Sequence, residues 1–171
     1  HSTEQGEANT NNLTHTLNLV TEMKSGNNTV RYTYDGKRRV KSVSLNGIEN
    51  YATYEYAGEN TDAETITATM TDNTVATKVT DLHGNVSEIT CNDRSVSNTY
   101  NEDQQVTEIV DSVSGTTVLG YDNDGNVTSV TAPDHTETFV YDETENTLES
   151  KTITGEDFCH TYVYGYKAVA S

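Results

Sequence analysis

A ten-residue frame returns along this chain at intervals of 20 to 24 residues. Its clearest copy is Tyr121-Asp122-Asn123-Asp124-Gly125-Asn126-Val127-Thr128-Ser129-Val130. The same frame stands at Thr80-Asp81-Leu82-His83-Gly84-Asn85-Val86-Ser87-Glu88-Ile89, at Tyr100 to Ile109 and at Tyr34-Asp35 to Val43. Tyr141-Asp142 opens a weaker copy, and Tyr54-Glu55-Tyr56 and Tyr162-Val163-Tyr164 mark degenerate ones. Anchors therefore fall at 34, 56, 80, 100, 121, 141 and 164. In four copies an apolar residue follows six positions after the anchor (Val40, Val86, Val106, Val127) and a second three later (Val43, Ile89, Ile109, Val130). A fixed period of this length means stacked supersecondary units.

Each unit reads as a β-hairpin. Val30, Tyr32 and Tyr34 alternate into the turn, as do Phe139 and Tyr141, the two-residue period of a strand. Asp124-Gly125-Asn126 and Gly84-Asn85 supply the positive-φ positions of tight turns. The offset of three between the two apolar residues conflicts with strict alternation, so either a bulge separates them or each packs on a different layer. Glu64 to Met70 alternates cleanly, with Ile66, Ala68 and Met70 on one face. No window carries a capped 3.6-residue apolar stripe. The expected fold is all-β: tandem hairpins of about 21 residues forming a curved or rolled antiparallel sheet. Seven hairpins give about 14 strands, and open sheets beyond about 10 strands tend to curl, split or pack on themselves.

Charge narrows the partners. With 27 Asp plus Glu against 10 Lys plus Arg, the net charge is 10 − 27 = −17. Such a chain cannot neutralise phosphates, so nucleic acid is excluded as a partner, and anionic lipid likewise. No apolar run reaches the ~18–20 residues of a membrane span. Hydrophobic residues make up 32%, low enough to suggest disorder, but 11 Tyr and recurring Val and Ile argue for a pleated, half-buried surface. With no Trp and two Phe, any core consists of Val, Ile, Leu and Tyr.

Residues 1–12 are polar and pattern-free, and read as a disordered tag or linker; 13–171 read as a single repeat domain, a fragment of a longer array. No signal-peptide pattern is visible. Cys91 and Cys159 lie outside any zinc-ligand spacing; they read as free, half-buried thiols, with a bridge left open.

The in-register series resembles the YD-repeat family, also called RHS repeats, whose pattern runs Tyr-x-Tyr-Asp-x-x-Gly-Asn-Leu/Val-Thr-x-Val. The residues that carry the likeness are Tyr34, Asp35, Asp81, Gly84, Asn85, Tyr100, Tyr121, Asp122, Gly125, Asn126, Tyr141 and Asp142, and it spans about residues 30 to 166. The resemblance implies a large secreted or surface-exposed bacterial protein, in which consecutive hairpins spiral into a shell around a toxin or other cargo. It implies a noncatalytic, structural role, neighbouring repeats of the parent as partners, and glycan contact as an alternative. Seven units are too few to close a shell alone.

Other chemistry finds little support. Asp122 to Asn126 has oxygens for calcium, but an EF-hand needs its Gly at position six and here it stands at four. None of the five histidines has a His partner at i+2 or i+4, and there is no GxSxG, GxGxxG or GxxxxGK[ST]. No catalytic residue, metal or cofactor is expected. Tyr51, Tyr54, Tyr56, Tyr162, Tyr164 and Tyr166 could form a sugar-stacking platform; as repeat markers they read better as packing residues whose hydroxyls reach the rim. Raw edge strands leave self-association open.

Overall fold

The computed structural model describes residues 12–16, 18–58 and 63–165. Residues 1–11 of the expected linker lie outside them, and Asn12 opens the first strand. The described residues hold fifteen strands and no helix. They divide into two compact units: residues 1–84 with 90–92, and 85–89 with 93–171.

The first unit contains β1 (Asn12–Thr16), β2 (Leu19–Ser25), β3 (Asn28–Tyr34), β4 (Val40–Leu45), β5 (Ile48–Ala57), β6 (Ala63–Met70) and β7 (Val75–Asp81). Each strand pairs antiparallel with the next. The second holds most of β8 (Val86–Cys91), then β9 (Arg94–Tyr100), β10 (Val106–Asp111), β11 (Gly115–Tyr121), β12 (Val127–Thr131), β13 (His135–Tyr141), β14 (Leu148–Gly155) and β15 (Cys159–Val163). From β9 onward the pairing is again antiparallel and sequential.

A bulge resolves the offset of three. Tyr34 pairs with Val40 while Thr33 pairs with Ser42, so Lys41 is the extra residue. Thr107 and Thr128 occupy the same place after Tyr100 and Tyr121. The bulge returns both apolar residues to the anchor's face: Val40 opposes Tyr34 and Val43 opposes Tyr32. After Tyr141 the extra residue is Glu149, one position later, because that turn closes at Thr147 and is one residue longer.

Register sorts the first unit into two faces. The rows Tyr32, Val43, Ala52, Met70 and Met23, Val30, Leu45, Ile48 lie on the anchor face. Thr33, Ser42, Thr53, Thr69 and Glu55, Thr67, Thr77 lie on the other. In the second unit the hydroxyl row is Gly120, Ser129, Thr138, Thr152, Thr161. Among the described residues Ala52 is the one buried apolar side chain, and Ser42, Ser44 and Thr80 are the buried polar ones. The expected Val/Tyr core is thus not an enclosed core. Alternation assigns these residues to one face, but within each unit that face is half-covered by its own neighbours. Cys91 and Cys159 are free and exposed rather than half-buried.

Candidate functional site

The repeat's side chains build the joints between consecutive units. The hydroxyls of Tyr34, Tyr56, Tyr100 and Tyr121 donate to the carbonyls of Val20, Val40, Val86 and Val106; the last three distances are 2.7–2.8 Å. Val40, Val86 and Val106 are the apolar residues six positions past the preceding anchor. Val20, Val40 and Val106 each lie two residues beyond the last pair of the ladder their strand shares with the tyrosine's strand. The phenol therefore satisfies a carbonyl that the ladder has left behind, as a backbone acceptor requires. The bond from Tyr34 to Val20 extends the series to a unit before the first anchor, where His15 pairs with Val20 and a bulge follows, a unit the sequence pattern did not disclose.

The acidic position after the anchor closes the turn. Asp35 Oδ1 accepts from the amides of Lys37 and Arg39, and Asp122 Oδ1 from those of Asp124 and Asn126, all at 2.9 Å. Asn101 does the same for Asp103 and Gln105. Asp81 accepts from His83, and Asp142 from Thr144 and Glu145. The carboxyls of Asp35, Asp122 and Asp142 are held below the usual carboxylate range: by the Arg39 amide and guanidinium, by the Asn126 side chain and turn amides, and by the Thr144 hydroxyl with turn amides. Asp122 Oδ2 also accepts from Asn126 Nδ2, so both oxygens considered for calcium already take protein donors.

The fourth position past the anchor is left-handed whether or not it is glycine: φ is 86° at Gly84 and Gly125, 67° at Arg38 and 64° at Gln104. The fifth position reaches the next turn. Asn85 Nδ2 donates to Gln104 Oε1, Gln105 Nε2 to the Gly125 carbonyl at 3.1 Å, and Asn126 Nδ2 to Asn146 Oδ1. In the first unit Arg39 takes this place, with its guanidinium 4.0 Å over the ring of Tyr56. At the opposite margin, Asn46, Asn92 and Ser112 stand twelve positions past their anchors. Each exchanges two hydrogen bonds with the residue 17 earlier: Thr29, Val75 and Ser95. The sequence reading passed over these residues; the constant +12 offset of small side chains that can accept from an amide was the available signal.

Of the tyrosines considered for a sugar platform, Tyr51, Tyr54 and Tyr56 lie in the first unit and Tyr162 and Tyr164 in the second. Tyr54 and Tyr56 share the anchor face, with the Tyr56 hydroxyl engaged at Val40. Tyr51 and Tyr164 are exposed. Tyr162 is exposed too and pairs across from Lys151, which pairs across from Phe139. Tyr166 lies outside the described residues. Tyr54 does line an open concavity of about 570 Å³, with Thr33, Tyr34, Lys41, Ser42, Asn50, Thr53 and Glu55.

A family model described as RHS Repeat matches residues 100–137, the stretch that opens on the anchor Tyr100 and includes the anchor Tyr121. No curated protein matches the chain in sequence. Among solved structures, the crystal structure titled TcdB2-TccC3-Cdc42 is similar, with a TM-score of 0.68 at 12% identity over 84% of this chain. The likeness establishes the fold. The match spans 9% of that much longer chain.

Proposed function

We propose that this chain is a noncatalytic structural segment of an extracellular or cell-surface bacterial RHS-repeat protein, forming part of the wall of a shell or stalk. The supporting observation is where the repeat's own residues are spent. Tyr34, Tyr56, Tyr100 and Tyr121 and the side chains of Asn85, Gln105 and Asn126 join hairpin to hairpin, and the aspartates close their own turns, so the polar groups of the frame are committed to holding the array together. The partners on this reading are the neighbouring repeats of the parent. Removing residues 101–121, one full period from anchor to anchor, tests it. A structural array closes over the gap and keeps its β-sheet circular dichroism, with stability lowered by about one unit's share; collapse of the whole fold would contradict the reading.

Glycan contact is a second reading, favoured by the concavity beside Tyr54 with its hydroxyl and amide lining. A glycan array followed by calorimetry tests it. Binding lost in Tyr54→Ala without unfolding supports it, and loss in Tyr164→Ala instead would move the contact to the far end of the chain.

A further inference from the structure

The anchor face of β2–β7 is apolar and uncharged at its centre, where its side chains are buried or half-buried among one another, and it is open toward the margin that holds Met23, Ile48 and Met70. Its rows Met23, Val30, Leu45, Ile48 and Tyr32, Val43, Ala52, Met70 run on into Tyr54, Ala68, Ala76. Ile48 is 52% exposed, Met23 38% and Met70 37%. The charges that share the face stand toward the turn margin: Lys78 opposite Ile66, Glu64 opposite Thr80, and Arg39 over Tyr56. Glu22, Arg31 and Glu55 belong to the opposite face with the hydroxyl rows.

We propose that this face closes on the same face of a second copy of the chain, making a two-layer sandwich across a twofold axis. Three arguments select that occupant. A sheet with one apolar face is stable when another layer covers it. Two copies carrying −17 each repel wherever acidic groups meet, so a surface with an uncharged centre is where they can approach; interface cores are depleted of charge in the same way. The area is sufficient: six strands at ~4.8 Å and seven residues at ~3.3 Å give about 650 Å² per copy, about 1,300 Å² for the pair, within the ~1,200–2,000 Å² of specific interfaces. Two such faces stack with their strands about 30° apart, as twisted sheets do.

The test is the mass of the full 171-residue chain by sedimentation and light scattering, from low to high micromolar. Reductant is included because Cys91 and Cys159 are exposed. The expected result is a concentration-dependent shift from 18.8 kDa to twice that mass. Met70→Lys and Ile48→Lys, both at exposed positions, should return the monomer with unchanged circular dichroism, while Thr67→Lys on the opposite face should leave the dimer intact. A monomer at every concentration would overturn the proposal, as would oligomers larger than a dimer. So would a dimer dissolved by Val163→Lys on β15 and not by Met70→Lys, which would be edge pairing instead.

Discussion

Asp122 and Asn101 hold the same place in two copies and accept the same pair of turn amides. Toward the two backbone amides the carboxylate is therefore replaceable by an amide, but its second oxygen accepts from Asn126 Nδ2, whereas Asn101 donates to Gln105 Oε1. The folded values of Asp35, Asp111, Asp122 and Asp142 lie below the ordinary one. Their contribution is complete above the unfolded value of about 4 and is lost as pH falls through the folded values. Asp122→Asn keeps the acceptor for the turn amides and loses the one for Asn126 Nδ2, so its urea midpoint should lie below the parent's at neutral pH and lose less in acid; Asp122→Ala, with neither acceptor, should lie lower still at neutral pH. Relief of the chain's self-repulsion acts in the opposite sense, so the comparison is between proteins at each pH. Glycine supplies a second contrast at this scale. Gly125 has φ 86°, where a Cβ costs about 1–2 kcal/mol, whereas Gly36 lies outside the left-handed region with nothing within 4 Å of a built Cβ. Gly125→Ala should lower unfolding free energy by about that amount, and Gly36→Ala should raise it by about 0.4–1 kcal/mol through the unfolded chain. Equal effects from the two would remove the left-handed turn from the explanation.

At the scale of the hairpin, Tyr34, Tyr56, Tyr100 and Tyr121 each tie their strand to the one before. Tyr121→Phe removes the bond to Val106 and keeps the ring, so denaturant unfolding should show a loss of about 0.5–1.5 kcal/mol. Tyr121→Ala should cost more. If Phe is neutral, water replaces the phenol at that carbonyl and the joint is packing alone. This joint was invisible in sequence because it links residues 15 apart across two strands. The hairpins themselves were legible because turn chemistry and period are local: Asp122-Asn123-Asp124-Gly125 carries its own closing bonds. The offset between Val127 and Val130 showed that something breaks the alternation. It could not separate a bulge from a change of layer, since both give the same spacing; the pairing of Tyr121 with Val127 and Gly120 with Ser129 decides it. Alternation likewise placed Ile66, Ala68 and Met70 on one face, but it carries no information on whether a second layer covers that face. That is why a Val/Tyr core was expected and an open face was found. The tyrosine candidates share this limit: proximity in sequence put Tyr51, Tyr54 and Tyr56 together, and the strand's two-residue period separates Tyr51 from the others.

Over the whole molecule the balance lies between ion pairs and repulsion, and salt moves the two oppositely. Arg39 with Asp35, Arg31 with Glu22 and Lys151 with Glu137 are close pairs, at 2.6–2.8 Å, and salt should weaken them. Surface pairs of this kind contribute little to stability because water and salt screen them. Ten basic residues can pair with at most ten of the 27 acidic ones, leaving 27 − 10 = 17 carboxylates without a basic counterpart. Those repel one another in the compact state more than in the unfolded chain. At about 0.01 M salt the screening length is about 30 Å, which reaches across several strands, and at about 0.1 M it falls to about 10 Å. Repulsion, summed over many distant pairs, loses more from this change than the few contact pairs do. The thermal midpoint should therefore rise with sodium chloride between those concentrations, by circular dichroism at fixed neutral pH. It should rise as well in Met70→Lys, which separates screening within one chain from any association between chains. A flat or falling midpoint in both proteins would mean that the contact pairs outweigh the excess charge, and that the acidity of the repeat surface carries no cost in stability.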